Sequence, residues 1–190
     1  EGNAELGITG LDRFLESRRQ GGDSTIVIED LGFGNCKLVV AVPTAWLDIT
    51  SIQDLAELAL EFREEGQQLR IATKYPQLVR KYLLEHGINY FYLVAMSGTL
   101  EAAPVAGYAD LIADLIATGN TLRDNKLKPV DFGTILSSQA CLIANRKLLK
   151  HKPNSLTQVK NILEMMERYI HPNRDHGISA YDKLLSQLTD

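Results

Sequence analysis

Asp110-Leu111-Ile112-Ala113-Asp114-Leu115-Ile116-Ala117-Thr118-Gly119-Asn120-Thr121-Leu122 carries two carboxylates on an apolar run that ends in a small, hydroxyl-rich turn. Leu111 to Ala117 is apolar except for Asp114 and too short for a confident helix. It reads as a buried, parallel strand that stops at Thr118-Gly119. Helix-forming Thr121-Leu122-Arg123-Asp124-Asn125 comes next. A strand, a glycine turn and a helix N-terminus present several backbone N–H groups and the positive end of a helix dipole, which suits an anion. Gly119 lets backbone approach closely, Thr118 and Thr121 add hydroxyl donors, and Asp114 stands ready to accept from sugar hydroxyls. A phosphorylated sugar is the implied guest. The same residues also suit a bare N-cap and turn.

Composition narrows what such a site belongs to. The 190 residues are 45% hydrophobic and 23% charged, the profile of a globular chain of one or two small domains. No apolar run reaches the roughly 18 residues a bilayer span requires, so a membrane role is not expected. A net charge of -4 argues against a general nucleic-acid surface, and any anion site must be local. Cys36 and Cys141 lie far apart with no metal-type spacing, which implies reduced, buried thiols and a cytoplasmic location. The first residue is Glu, and the expectation is a fragment of a longer polypeptide.

The strand, glycine turn and helix pattern recurs. Glu5 to Gly10 is a short apolar run before helical Leu11 to Glu16, and Leu69 to Thr73 enters Lys74-Tyr75-Pro76 and a helix over Gln77 to His86. Tyr90 to Ala95 delivers Met96-Ser97-Gly98-Thr99, after which Leu100 to Gly107 should start helically with Glu101 in its first turn. Four such turns on an open α/β sheet would converge at the carboxyl ends of its strands, where ligands bind. Neither G-x-G-x-x-G nor the P-loop pattern is present. Glycine-punctuated Asp30 to Cys36 suits a domain crossover into an apolar strand, Lys37 to Val42. Asp48 to Gly66 reads as a helix capped by Asp48, Thr50 or Ser51, Asp131 to Leu136 and Gln139 to Asn145 as strands, and Asn154 to Ile170 as an amphipathic helix. His171 and His176 read as surface residues.

In this order, Glu5-Leu6-Gly7-Ile8-Thr9-Gly10, Arg70-Ile71-Ala72-Thr73-Lys74-Tyr75-Pro76, Ser97-Gly98-Thr99-Leu100-Glu101-Ala102-Ala103-Pro104 and Asp110 to Leu122 with Asn125 beyond it resemble the motifs of ATP phosphoribosyltransferase, the first enzyme of histidine biosynthesis. Ser137-Ser138-Gln139-Ala140-Cys141-Leu142-Ile143 is similar to its return segment. The resemblance implies a two-domain α/β fold like the type II periplasmic binding proteins, with the active site in the cleft between domains. It divides the chain into a first domain of residues 1–36 and 136–170, a second of 37–135, and an uncertain tail, 171–190. It implies transfer of the phosphoribosyl group of phosphoribosyl pyrophosphate to N1 of ATP, with Mg²⁺ on the pyrophosphate. Carried over, Thr118, Gly119, Asn120 and Thr121 would hold the 5-phosphate and Asp114 the ribose hydroxyls. Asp110 would help with those hydroxyls or with a magnesium-bound water. Lys74 and Tyr75 would face the nucleotide or pyrophosphate, Ser97, Gly98 and Glu101 would line the ATP side, and Arg13 would belong to the opposite wall. This chemistry needs no protein nucleophile, in keeping with a sequence that shows no Ser/His/Asp or Cys/His constellation.

The resemblance also implies a homo-oligomer and, since nothing after Ile170 looks like a histidine-binding domain, either a short form with a separate regulatory partner or a chain cut at both ends. Family sequence that precedes the Glu5 motif is missing, so the chain alone is expected to be inactive. The alternative is a solute-binding module of the same fold. A type I phosphoribosyltransferase fits less well, because its acidic pair runs by a short spacer into Thr-Gly-Gly-Thr.

Overall fold

The computed structural model describes residues 4–18, 22–96, 98–170 and 178–189, the side chains of Pro153 and Thr189 excepted. In chain order, β1 (Leu6–Gly10) leads directly into α1 (Leu11–Ser17), and β2 (Ser24–Ile28) is the next strand. β3 (Cys36–Pro43), α2 (Ile52–Glu64), β4 (Leu69–Thr73), α3 (Pro76–Glu85), β5 (Phe91–Ala95), a 3₁₀ turn over Leu100–Ala102, β6 (Leu111–Ile116), α4 (Asn120–Asp124) and β7 (Leu127–Ser138) come next. β8 (Ala140–Asn145), α5 (Arg146–His151), a 3₁₀ turn over Pro153–Ser155, α6 (Leu156–Ile170) and α7 (Ala180–Thr189) complete the order. The contacts divide the chain into two units, Glu1–Asn35 with Gln139–Asp190, and Cys36–Ser138.

The first unit is a three-stranded antiparallel sheet in the order β1-β8-β2. Val27, Ile28, Leu142 and Ala144 pack with Leu149, Val159, Leu163, Ala180 and Leu184. The end of the chain, expected as a tail of uncertain fold, therefore contributes a helix whose Ala180 and Leu184 are core. His171 and His176 lie outside the described residues. Cys141 is buried, and burial first, then the charges of Asp12 and Glu29, push its thiol up. Cys36, expected to be buried, is only half-buried, and neither cysteine is in a disulfide. β1 passes into α1 without a glycine turn, since Gly10 caps the helix in an extended conformation at φ -72°.

The second unit is a five-stranded sheet in the order β5-β4-β6-β3-β7. β4 runs parallel to both β5 and β6, while β3 is antiparallel to β6 and β7. The expected parallel strand at residues 111–117 thus has one parallel neighbour and one antiparallel neighbour. Both faces are covered. Leu38, Val40, Val42, Ile71, Leu111 and Ala113 meet α2 and α3 through Ile52, Leu55, Val79 and Leu83. On the other face Val39, Ala41, Ala72 and Ile112 meet Leu100, Ala103, Ala109 and Leu122. Burial on both faces explains why these strands read as continuous apolar runs without alternation.

The caps that place these elements are local. Ser51 accepts from the Asp54 N–H and Asp54 accepts from the Ser51 N–H, a full capping box at the start of α2. Pro76 opens α3, where its missing N–H removes nothing. β7 carries a bulge between Pro129 and Thr134, with Phe132 at φ 58°. There the Asp131 N–H donates to Thr50 O at 2.7 Å and the Tyr82 hydroxyl donates to Phe132 O. A Cβ on Gly133 would lie 2.8 Å from the Val130 carbonyl oxygen, so the bulge closes only on glycine.

Candidate functional site

Parallel strands place their carboxyl ends on one edge, and in the second unit β4, β5 and β6 do so. β4 runs into the Lys74-Tyr75 turn, β5 into the segment through Gly98 and Thr99, and β6 into the Thr118 to Thr121 turn. The Gly7 to Gly10 segment, expected as a fourth such turn, belongs instead to the antiparallel sheet of the first unit. Arg13 is exposed on α1 of that unit.

The turn after β6 forms on Gly119, whose left-handed backbone (φ 77°, ψ 0°) caps α4. That conformation disfavours any residue with a Cβ. By their place in the helix, the N–H groups of Asn120, Thr121 and Leu122 face outward from the first turn of α4. Asn120 accepts from the Arg123 guanidinium at 2.9 Å, and Asn125 donates to Thr121 O at 2.9 Å, tying the short helix across its length. A pocket of about 90 Å³ opens here. Glu101 and Asp114 line it with Ala117, Thr118, Gly119 and Thr121.

Asp114, like Glu101, is a half-buried carboxylate of that pocket. Burial pushes its carboxyl above the usual carboxylate range; the Leu115 N–H, at 2.8 Å, and the charge of Lys74 pull it back, while Glu101 pushes it further up. Lys74 is exposed at the turn after β4. That turn is set by buried Thr73, whose hydroxyl accepts from the Tyr75 N–H at 3.0 Å. A cation, two carboxylates, threonine hydroxyls and backbone donors thus converge from three loops of one sheet edge. Such a set can hold a phosphate at the turn and hydroxyls at Asp114.

Two expected site residues are placed elsewhere. Asp110 precedes β6, at the end opposite the pocket. It is engaged by Arg70, whose backbone N–H donates at 2.7 Å and whose guanidinium donates to both carboxylate oxygens, at 2.8 and 3.3 Å. Tyr75 is buried in the core with Val79 and Tyr82, because Pro76 starts α3 at once and turns the preceding side chain under the helix. Gly98, at φ 130°, is exposed, and Ser97 lies outside the described residues. Arg70 and Thr73 are not among the site residues that the sequence points to. The matched spacing of Arg70 with Lys74 and of Asp110 with Asp114 was the available signal. Among the described residues no group of three or more His, Cys, Asp and Glu could hold a metal ion, and no helix is long and apolar enough to cross a membrane.

A mixed sheet of this order, with one antiparallel strand inserted next to parallel ones and a chain that leaves its first unit and returns, defines an α/β protein of the type II periplasmic-binding-protein kind. Its ligand-type turn is at the edge where that class binds. The family model HisG, ATP phosphoribosyltransferase, matches residues 1–168, and the chain belongs to that family. It is 44% identical over 148 residues to the ATP phosphoribosyltransferase of Brucella anthropi and 43% identical over 148 residues to that of Brucella suis, covering 77% of this chain in each case. The chain spans 64% of the length of these curated relatives. The ATP phosphoribosyl transferase (HisG:HisZ) complex from Thermotoga maritima superposes with a TM-score of 0.66 at 25% identity, over 90% of this chain and 73% of that one.

Proposed function

We propose that the chain carries the phosphoribosyl site of an ATP phosphoribosyltransferase, which joins N1 of the adenine of ATP to C1 of the ribose as the bond from C1 to pyrophosphate breaks. The observation that carries this reading is the pocket of about 90 Å³ in which Asp114 and the Gly119 turn face each other. Thr118, Gly119, Asn120 and Thr121 hold the 5-phosphate through backbone N–H groups and hydroxyls. Asp114 accepts from the ribose hydroxyls, and its protein surroundings supply one N–H donor, from Leu115, leaving lone pairs for the sugar. Lys74 adds positive charge beside the departing pyrophosphate. Glu101 reaches the same pocket and faces the sugar or the nucleotide from the loop after β5.

The ribosyl centre becomes cationic as the bond breaks, so placement and charge do the chemistry and no side chain need attack. Magnesium, when bound to the pyrophosphate, neutralises the leaving group. The described residues offer Asp114 and Glu101 but no three-ligand set, which suits an ion arriving on substrate phosphates. A cytoplasmic location, self-association and a separate regulatory partner complete the proposal, the similar structure from Thermotoga maritima being itself a HisG:HisZ complex.

The test incubates the full-length polypeptide, with and without a regulatory partner, with ATP, phosphoribosyl pyrophosphate and Mg²⁺, and pyrophosphatase to draw the equilibrium forward. Phosphoribosyl-ATP formation that Asp114→Ala reduces about 100-fold is expected. Binding of phosphoribosyl pyrophosphate with no product under either condition would favour a solute-binding module instead.

A further inference from the structure

β4 and β6 pair in parallel through Ile71↔Leu111, Ala72↔Ile112 and Thr73↔Ala113. Carried one residue further at each end, the same register sets Arg70 against Asp110 and Lys74 against Asp114. Side chains alternate along a strand, so Arg70 with Asp110, Ala72 with Ile112, and Lys74 with Asp114 form three successive rows on one face. The middle row is apolar and 0% exposed. The outer rows are cation and carboxylate, one at each end of the ladder.

The ladder's own side chains say little about its register. Ile71, Ala72, Leu111, Ile112 and Ala113 are all fully buried, and both faces of the sheet are covered. A half-exposed strand is held in register because a slip moves apolar residues into water, but a strand covered on both faces lacks that discrimination. The Arg70 row supplies it. Besides the contacts of its guanidinium and N–H with the Asp110 carboxylate, Arg70 accepts the Asp110 N–H at its carbonyl at 2.8 Å and donates to Gly107 O at 2.8 Å. Slipping β4 along β6 would break all of these together.

We propose that Arg70 and Asp110 are positioning residues: their two-pronged pair fixes β4 on β6 and thereby holds Lys74 beside Asp114 at the pocket, about 13 Å of strand away. This rests on the reading of that pocket as the phosphoribosyl site. Neither residue lines the pocket. A fixed register matters there because misplacement of about 1 Å can cost on the order of 100-fold in a site that works by positioning.

Two readouts separate this from a merely structural role. The first needs no ligand: NMR titration of the Asp114 carboxyl, whose facing charged groups are Lys74 and Glu101. In Asp110→Asn the carboxyl should titrate higher than in the parent, because Lys74 is no longer held close. Arg70→Lys, which keeps the charge but loses the fork and preserves the fold if Asp110→Asn does not, should fall between. An unchanged Asp114 titration in folded variants would overturn the proposal. The second is the Kd for phosphoribosyl pyrophosphate in the full-length polypeptide, which is insensitive to how much protein is folded. Asp110→Asn should weaken it about three- to tenfold, and should add less than that on top of Lys74→Met, whereas sites this far apart ordinarily add. A lower Tm with unchanged Kd, or full additivity, would contradict the account. If Asp114→Asn itself leaves Kd unchanged, the pocket reading fails, and the NMR titration alone decides on the pair.

Discussion

Asp110 precedes β6 and Asp114 lies within it, four residues on and on the same face, and their surroundings make them different groups. Asp110 is saturated: guanidinium and backbone donors occupy both its oxygens. Asp114 has one backbone donor, the charge of Lys74 from the turn after β4, a second carboxylate nearby, and burial that works against its charge. A carboxylate whose acceptor sites are filled by the protein serves the fold, and one left with open acceptor sites in a pocket is available to a ligand. Sheet topology separates them, since the pocket lies at the carboxyl end of β6, with Glu101 reaching it from the segment after β5, and Asp110 is at the other end of the strand.

The contrast breaks most visibly at Asp114. Asp114→Ala should reduce turnover of the full-length polypeptide by about 100-fold, the scale of losing charge-assisted hydrogen bonds of about 1.5–3 kcal/mol, read in the product assay. Gly119→Val should come next. A left-handed backbone is disfavoured for residues with a Cβ by about 1–2 kcal/mol, so affinity for phosphoribosyl pyrophosphate should fall by roughly tenfold as the turn shifts, with little change in the far-UV spectrum.

Stability should then move in opposite directions at the two aspartates. Asp110→Asn leaves a half-exposed Arg70 without its ion pair and should lose about 1 kcal/mol, or about 2–4 °C in Tm, the screened end of the range for such pairs. Asp114→Asn should raise Tm at neutral pH while removing binding. Its carboxyl titrates above its unfolded value, so its contribution favours folding at low pH and is lost as pH rises through the folded pKa. The smallest effects belong to a third carboxylate, Asp54. Backbone and side-chain donors from Thr50, then Ser51, hold its pKa down to about 2 against the ordinary 3.8. A depressed pKa stabilises above the unfolded value and the benefit is lost as pH falls, so acid unfolding between about pH 4 and 2 should be shallower in Asp54→Asn. Ser51→Ala should lose about 1 kcal/mol of helix capping, read by denaturant titration.

Much of this fold was legible because its signals are local. β4 appears over Leu69 to Thr73 as an apolar run against a Pro turn, and α2 is capped by Ser51, one of the three residues, with Asp48 and Thr50, that the sequence offers as caps. β7 begins earlier than its sequence suggests, at Leu127, because Pro129 reads as a breaker. It is tolerated there on an edge strand beside a bulge. α5 is six residues long, too short for periodicity to show. At the site, the Thr118 to Thr121 turn was legible from Gly119 and its hydroxyls. Asp110 and Tyr75 lie away from the pocket, which the sequence does not show because motif proximity does not say which end of a strand, or which side of a helix start, a side chain occupies. Arg70 is not legible in the sequence because its partner is forty residues away and only the register brings them together.

The most direct test places the two aspartates side by side: titration of phosphoribosyl pyrophosphate with Mg²⁺ into the full-length polypeptide, Asp114→Asn and Asp110→Asn under one set of conditions. Loss of about 100-fold in affinity at Asp114 and of no more than about tenfold at Asp110 is the predicted result. Equal losses at the two positions, or a larger loss at Asp110, would contradict the assignment of the site to the Gly119 end of β6.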